Sequence, residues 1–203
     1  MAANTITGFW PANRKIANGA PARHKQRAMT IRFRTASLPE DAGLLLDLNS
    51  EYLQFVFDGV AARFGVPIGD IFPGGDIRAY LATAIHKIVG PGAPESLFYI
   101  LERDGAAIGM GGLRRVRDGV CELKRVYVRD GAKGLGLGRQ LVERLIADAQ
   151  ALGYATMFLD TAPTLERAIS LYDRLGFAPI SAYPEVEVPA IMHDRWVFMA
   201  RAV

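Results

Sequence analysis

The stretch KRVYVRDGAKGLGLGRQLVERLI, residues 124–146, passes from β-branched and aromatic residues into an apolar pattern with helical spacing. Gly134, Gly136 and Gly138 alternate where the predicted strand gives way to the predicted helix. Glycine in a connection costs conformational entropy, so its use here predicts a sharply bent backbone or a close approach to another group. A tight turn without a ligand and an anion-binding loop are both compatible with this stretch alone.

Three predicted strands joined by short turns precede the glycines, at 96–103, 106–116 and 120–128. The turns are Asp104-Gly105 and Asp118-Gly119, and Asp-Gly between apolar runs is a strong hairpin signal. After the glycines, a helix leads into a buried strand at 154–162. A strand–helix–strand order predicts a crossover, which makes strands 120–128 and 154–162 a parallel pair.

The remaining elements are predicted from their periodicity and their boundary residues. A strand at 30–36 is followed by a helix that opens on a capping box, Ser37 with Glu40 three residues later. Further helices cover 77–89, closed by a Gly-Pro pair, and 164–177, with Gly176 near its end; a loop and a last strand at 195–201 complete the chain. The sequence therefore predicts one α/β domain on a mixed, mostly antiparallel sheet with about four helices.

Composition narrows the class of protein. The chain has 203 residues, half of them hydrophobic, which is enough for one domain with a sizeable core, and no apolar run approaches the length of a membrane span. The single cysteine, Cys121, excludes an internal disulfide and predicts a cytoplasmic protein in which this residue is a small buried hydrophobe. His24, His86 and His193 lie far apart, so no metal site is expected.

The basic character of the chain is concentrated in its first residues. Five of the 24 basic residues lie in 1–28, which contains no acid, so the rest of the chain has 19 basic and 21 acidic side chains. We predict a basic disordered extension or leader at 1–29, with Met29 as an alternative start, and a folded domain at 30–203. Because that domain is acidic overall, the RRVR run at 114–117 is interpreted as a solvated face, and no nucleic-acid partner is expected.

The spacing of the glycines distinguishes this loop from two known phosphate-binding motifs. The Gly-x-x-x-x-Gly-Lys-Ser/Thr loop of nucleotide triphosphatases does not occur in the sequence. The loop also differs from the Gly-x-Gly-x-x-Gly dinucleotide fingerprint, because its third glycine comes one residue early. Alternating glycines at a helix start nevertheless let successive backbone amides converge on an anion. Lys133 and Arg139 flank the loop and add positive charge, a combination that suits a pyrophosphate.

Two motifs carry a resemblance to a known family. The loop from Lys133 to Gly138 resembles the Arg/Gln-x-x-Gly-x-Gly/Ala acyl-CoA signature of the GNAT N-acetyltransferase superfamily, and AISLYDRLGF (168–177) is similar to its second motif. Lys133 stands where the family usually has Arg or Gln, and Leu165 stands where many members have Asn. The resemblance covers roughly residues 30–203 and is strongest over 96–178.

The resemblance implies a splayed parallel central pair of strands and an acetyl-CoA-dependent N-acetyltransferase of the GNAT fold. Acetyl-CoA would be the co-substrate, with an acyl-CoA-binding sensor of the same fold as the alternative function. The pantetheine arm would lie along the fourth strand, and the pyrophosphate would lie in the glycine loop. The cofactor-binding residues implied in this way are Val126, Tyr127, Val128, Lys133, Gly134, Leu135, Gly136, Leu137, Gly138 and Arg139.

The resemblance also implies two catalytic residues. Tyr172 occupies the general-acid position of the second motif, although it also belongs to an apolar helical stripe and could be a core residue. Glu122, eleven residues before Lys133, is the candidate base, and strand alternation puts it on the same face as Val126 if no bulge intervenes. A surface ion pair with Lys124, with a water chain acting as the base, is the alternative.

The acceptor would be an amine of a small molecule or peptide, bound by the first two helices and by the loop before the last strand. The side chains in those segments that could bind a cationic amine are Tyr52, Tyr80, Glu185 and Glu187, although a solvated loop accounts for the two glutamates equally well. No membrane partner is expected, and a homodimer is compatible with the fold.

Overall fold

The computed structural model describes residues 30–67, residue 69 and residues 75–203. The predicted extension at 1–29 lies outside these residues, as do residue 68 and residues 70–74. The strands are β1 (Ile31–Thr35), β2 (Ser96–Arg103), β3 (Ala106–Arg117), β4 (Val120–Val128), β5 (Thr156–Thr161), β6 (Ala178–Pro179) and β7 (Val197–Ala202). The α-helices are α1 (Ala42–Phe64), α2 (Ile77–Val89), α3 (Leu137–Ala151) and α4 (Glu166–Arg174). None of the helices in these ranges has the length and apolarity needed to cross a bilayer.

The strands form one sheet in the order β1-β2-β3-β4-β5-β7-β6. The β4–β5 pair is parallel and the other neighbours are antiparallel, which confirms the predicted meander, the crossover through α3 and the fold class. The parallel register holds only at Val120↔Thr156, Cys121↔Met157 and Glu122↔Phe158. Beyond these pairs the two strands separate, so backbone groups in the second half of β4 have no partner on β5.

Helices cover both faces of the sheet and create two hydrophobic cores. One core packs α3 and α4 against the sheet, with Leu141, Leu145 and Met157 fully buried. The other packs α1 and α2 against the opposite face, around Leu48 and Leu81. Because helices cover both faces of the sheet, side chains near the separated ends of β4 and β5 can be shielded from bulk water.

The fourth strand contains a bulge. Met110 pairs with Tyr127 and Gly112 pairs with Lys124, so β4 carries one more residue than β3 over this stretch. Arg125, within the bulge, has a φ of 58°, a left-handed conformation that residues other than glycine rarely adopt.

The bulge is accommodated by Gly111 and reverses the alternation of β4. A Cβ atom at Gly111 would lie 2.8 Å from the Cδ2 of Leu141 and 3.2 Å from the Cα of Val126, so glycine avoids crowding opposite the extra residue. Val126 and Val128 pack on the α3–α4 side, whereas Tyr127 packs on the α1–α2 side. Cys121 and Leu123, which neighbour Glu122, also lie on the α3–α4 side. The prediction that Glu122 shares a face with Val126 and Val128 is therefore wrong, because the bulge intervenes.

The capping box does not mark the start of α1. The Ser37 hydroxyl donates a 2.8 Å hydrogen bond to the Glu40 carboxylate, whereas a capping box would join each side chain to a backbone amide; these residues form a turn, and the helix begins at Ala42. Asp41 precedes the helix, and its carboxylate accepts hydrogen bonds from the Arg34 guanidinium and the Ser37 amide. The side chain nearest the helix start therefore anchors β1 to α1 instead of capping the helix.

Candidate functional site

Two cavities lie beside the separated end of β4, and Tyr52 lines both of them. The first, here called the inner cavity, has a volume of about 210 Å³. Its wall combines apolar and aromatic residues from α1, α2 and the segment before β7 with four charged residues. The charged residues are Lys124 and Arg125 of β4, Asp160 of β5 and Glu187.

The second cavity, here called the loop cavity, has a volume of about 780 Å³ and runs from β4 over the glycine loop to α4. Its wall includes Val126, Tyr127 and Val128 on one side and Tyr172 on the other. The separated end of β4 thus lines the loop cavity, and Tyr52 lines both this cavity and the inner one.

The three positions of the loop are glycine for different reasons. Gly134 and Gly136 have φ values of 83° and 72°, so the turn into α3 itself requires them. Gly138 has no such conformation, and a Cβ atom placed there would meet no other atom within 4 Å. The protein's own packing does not explain Gly138, which borders the loop cavity. A ligand that approaches the backbone closely is an explanation that fits.

The first amides of α3 are available to such a ligand. The helix begins at Leu137, and its first internal hydrogen bond runs from the Gln140 amide to the Gly136 carbonyl, 3.0 Å. The residue before the helix is Gly136, which has no side chain to cap this end. The amides that precede Gln140 therefore lie at the positive end of the helix dipole, where an anion is favoured.

Cationic side chains surround the same cavity: Lys133, Arg139, Arg167 and Arg174. Lys133 is paired with the exposed Asp130, and the Nε of Arg139 lies 2.8 Å from Glu143, but exposed pairs of this kind contribute little and can be exchanged. The Oγ1 atom of Thr164, also in the cavity wall, is buried without a hydrogen-bond partner among the described residues. The donor set fits a phosphorylated ligand.

Comparison with known proteins identifies the family. The profile of the Acetyltransferase (GNAT) family matches residues 72–177, about half of the chain. An uncharacterised N-acetyltransferase of Schizosaccharomyces pombe is 32% identical over 167 residues, which covers 81% of this chain and 93% of the relative. The chain belongs to the GNAT acetyltransferase family.

Two further comparisons agree with this assignment. An uncharacterised N-acetyltransferase of Dictyostelium discoideum is 47% identical over 64 residues, 32% of this chain and 30% of the relative. The crystal structure of the PaiA N-acetyltransferase of Thermoplasma acidophilum in complex with coenzyme A superposes with a TM-score of 0.62 at 16% identity, covering 86% of this chain and 99% of that one. The structural match supports the GNAT fold.

Most residues that the GNAT resemblance assigned to the coenzyme line the loop cavity. They are Val126, Tyr127, Val128, Lys133, Gly134, Gly136, Leu137, Gly138 and Arg139. Leu135 is not among the lining residues, and it is 43% exposed. Arg167 and Arg174 were not predicted, although their spacing of seven residues on one helix could have indicated a shared face.

Tyr172 lies in the wall of the loop cavity, with its ring against Phe177 at 5.8 Å between centroids. No described residue hydrogen-bonds to its hydroxyl, although the residue is only 7% exposed. Burial raises the pKa of Tyr172, and Tyr52 and Asp160 raise it further. The phenol therefore keeps its proton at neutral pH.

Glu122 lies in neither cavity and is fully buried. One carboxylate oxygen accepts a 2.8 Å hydrogen bond from the Nε of Arg114, and the other accepts a hydrogen bond from the Tyr183 hydroxyl. Lys124 lies 3.4 Å away. The carboxylate thus has partners within the chain and lines neither cavity, so the base role of Glu122 gains no support from the structure and stays a prediction. The predicted pairing with Lys124 does occur, but it is buried.

Replacing Glu122 with glutamine is expected to lower the free energy of unfolding by about 3–5 kcal/mol, because it leaves buried cations without their partner. Urea denaturation at neutral pH measures this loss. Glu95→Gln, which removes a carboxylate from an exposed pair with Arg115, is the matched control and should change stability by less than about 1 kcal/mol. Equal losses in the two variants, or a folded Glu122→Gln protein without activity, would contradict the structural role.

The two glutamates predicted to bind the acceptor both have cationic partners within the chain. Glu185 lies outside both cavities and pairs with Arg117 at 2.6 Å. Glu187 lines the inner cavity, but Arg114, Lys124 and Lys87 contact its carboxylate at 2.7, 3.0 and 3.0 Å. Burial alone would raise the pKa of Glu187, but these cations outweigh it and hold that pKa well below its usual range. Neither glutamate offers a free charge to a cationic amine.

Tyr52 and Tyr80 do lie in the wall of the inner cavity, beside two charged residues that the sequence analysis missed. Asp160 accepts a 2.8 Å hydrogen bond from the indole of Trp196, and burial raises the pKa of its carboxyl above the usual range. Arg125 is the second. The sequence did contain a signal for Asp160, because it lies within the apolar run YATMFLDTA. An aspartate is rarely found in a buried strand unless its charge has a partner or a function.

Two glycines offer a matched test of the loop cavity. Gly138 and Gly43 each occupy the second position of a helix, neither has a left-handed φ, and a Cβ atom at either would meet no atom within 4 Å. Alanine should stabilise both helices by up to about 1 kcal/mol. Only Gly138→Ala should weaken coenzyme A binding, by about tenfold or more in Kd, because its methyl group enters the loop cavity. Calorimetry with coenzyme A checks this, and equal affinities in the two variants would count against the site.

Among the described residues, no group of three or more His, Cys, Asp or Glu side chains could hold a metal ion. Cys121 is fully buried, and burial raises the pKa of its thiol to about 12, so it is a packing residue and not a nucleophile.

Proposed function

We propose that residues 30–203 form an N-acetyltransferase domain that uses acetyl-CoA to acetylate an amine of a small molecule. The observation that carries the proposal is a pair of cavities that share Tyr52 in their walls: a long one bordered by cations and helix amides, and a small one bordered by the partly buried carboxylate of Asp160. A phosphorylated coenzyme and a small acceptor could thus meet beside the open edge of β4.

The loop cavity is the proposed coenzyme site. Three observations among the described residues suggest a ligand there. The space beside Gly138 is open, the first amides of α3 are uncapped, and the Thr164 hydroxyl has no hydrogen-bond partner. Lys133 and Arg139 would bind the phosphates, and the open edge of β4 from Val126 to Val128 would accept the pantetheine arm. When bound, acetyl-CoA would supply an acyl group activated as a thioester.

Acyl transfer to an amine requires that the amine lose a proton and that the departing thiolate gain one. We assign the second task to Tyr172, whose buried phenol stays protonated. We assign the first to Asp160 in place of Glu122, because Asp160 lines the inner cavity and its raised pKa makes it a better proton acceptor than an ordinary aspartate. The side chain of Trp196 fixes the orientation of that carboxylate.

The test has two parts. Calorimetry with coenzyme A should register binding, and release of free thiol from acetyl-CoA should accelerate with at least one acceptor in a panel of amino acids, amines, polyamines and short peptides. Binding without turnover on any acceptor would favour the acyl-CoA sensor. Absence of coenzyme binding would overturn the proposal.

A further inference from the structure

Arg125 lies in an unusual place for a charged side chain. It forms part of the β4 bulge, with a φ of 58°, and both it and its neighbour Lys124 line the inner cavity. Two consecutive residues of a regular strand would point to opposite faces. The bulge therefore brings two cations to the same small cavity. A left-handed arginine costs backbone free energy and is typical of positions where the strain serves a function.

The guanidinium of Arg125 has no anionic partner within the described chain. Its Nε atom is buried without a hydrogen-bond acceptor, and its guanidinium carbon lies 6.0 Å from the centre of the Tyr52 ring. Lys124 differs, because its ammonium contacts Glu187 at 3.0 Å and Glu122 at 3.4 Å. Buried donors without acceptors are rare in folded proteins, so the position indicates a group supplied from outside.

The acids of the inner cavity do not supply that group. Three cations already contact Glu187. Asp160 accepts its hydrogen bond from Trp196 and forms no ion pair with Arg125, although the guanidinium lowers its pKa slightly against the larger effect of burial. The cavity therefore offers one unmatched cation and one carboxylate with a raised affinity for protons. A ligand that complements both carries an anionic group and an amine.

We propose that the acceptor is a small amino carboxylate of the α-amino acid type, whose carboxylate is bound by Arg125 and whose amino group faces Asp160. A guanidinium matches a carboxylate through parallel hydrogen bonds. Phe57, Tyr80, Met192 and Trp196 in the cavity wall favour an apolar or aromatic side chain. The volume of about 210 Å³ lies below the range of roughly 300–1,000 Å³ typical of drug-sized ligands, which suits one amino acid. This inference rests on the proposed function.

The chemistry is balanced within the two substrates. The amino nitrogen forms a bond to the acetyl carbonyl carbon while the carbon–sulfur bond breaks. The amine proton passes to Asp160, the thiolate takes a proton from Tyr172, and return of the proton from Asp160 to the Tyr172 phenolate through solvent restores both groups. The products are an N-acetyl amino acid and a free thiol, with no oxidant or metal required.

Matched acceptors test the carboxylate. Thiol release is measured with L-leucine and L-phenylalanine and with 3-methylbutylamine and 2-phenylethylamine, which lack only the carboxylate, at several pH values so that rates refer to the free amine. We expect at least one amino acid to exceed its matched amine about 10–100-fold in kcat/KM. The dipeptide Phe-Gly, in which the carboxylate is displaced by one residue, should resemble the amine. Equal or better turnover of the amines would overturn the inference.

Variants of Arg125 test the residue. Arg125→Gln and Arg125→Asn should each raise the KM for the preferred amino acid about 10–100-fold and leave the coenzyme A Kd and the amine KM within about twofold. Asparagine tolerates the left-handed conformation, so this variant should fold even if the glutamine variant does not. Arg117→Gln removes an arginine outside both cavities and is the control. An unchanged KM for the amino acid in a folded Arg125 variant would exclude the assignment.

A binding measurement separates this inference from the proposed function. Calorimetry of L-leucine and L-phenylalanine into the coenzyme A-loaded protein should give heat in the wild type and none in Arg125→Asn. If coenzyme A itself does not bind, the proposed function fails. If coenzyme A binds but the amino acids bind no better than the matched amines, only the acceptor assignment fails.

Discussion

Tyr172→Phe is expected to lower kcat by about 10²–10⁴-fold at neutral pH, because the variant keeps the ring but loses the proton that the departing thiolate needs. Stability should not fall, since no described residue hydrogen-bonds to the Tyr172 hydroxyl and its removal leaves no group unpaired. This combination separates catalysis from packing. A core tyrosine would give the opposite result, with little effect on kcat from the loss of a single hydroxyl.

Thiol-release kinetics, coenzyme A calorimetry and urea denaturation measure the three quantities. Tyr154→Phe is the control, because Tyr154 lies outside both cavities and its hydroxyl donates to the Pro94 carbonyl at 2.9 Å. That variant should lose about 1 kcal/mol of stability and keep its kcat. Wild-type turnover in Tyr172→Phe would remove this residue as the acid and leave solvent in its place.

Asp160→Asn is expected to lower kcat/KM by about 10²–10⁴-fold, since an amide cannot accept the amine proton but still accepts the hydrogen bond from Trp196. Burial raises the pKa of Asp160, so in the wild type the activity should decline as the pH falls through that raised value. The pH profile of the variant, measured on its residual activity, should lack this decline.

The effect on stability has a definite sign. A carboxyl whose pKa is raised in the folded protein is penalised in its charged form, and this penalty is present at pH values above the folded pKa. Asp160→Asn should therefore be as stable as the wild type at neutral pH or more stable, by urea denaturation. Asp173→Asn, at an exposed position of α4, is the control and should change neither quantity. A large loss of stability in Asp160→Asn would indicate a structural carboxylate instead.

The sheet could be predicted from sequence because its signals are local. Asp-Gly turns, alternation and the position of the glycines define β2 to β4 and the start of α3 within a few residues. The bulge gives no such signal, since the residue that adopts a left-handed conformation is Arg125 and not a glycine. One extra residue was enough to put Glu122 on the wrong face.

The charges of the site depend on contacts between distant segments. Glu187 looked available in the sequence, but its partner Arg114 is 73 residues away and its partner Lys124 is 63 residues away. No window of sequence contains both members of these pairs. The sequence shows which residues are charged, but only the folded structure shows which of these charges are paired.

The bulge also divides the work of a single strand. Lys124 and Arg125 serve the inner cavity, and Val126 to Val128 border the loop cavity. Under the proposed function, a substitution of Arg125 would change which molecule receives the acyl group and leave the residues that line the loop cavity in place. Lys124 is tied to Glu122 and Glu187, so Arg125 is the position on this strand at which acceptor choice could be re-engineered without breaking a buried ion pair.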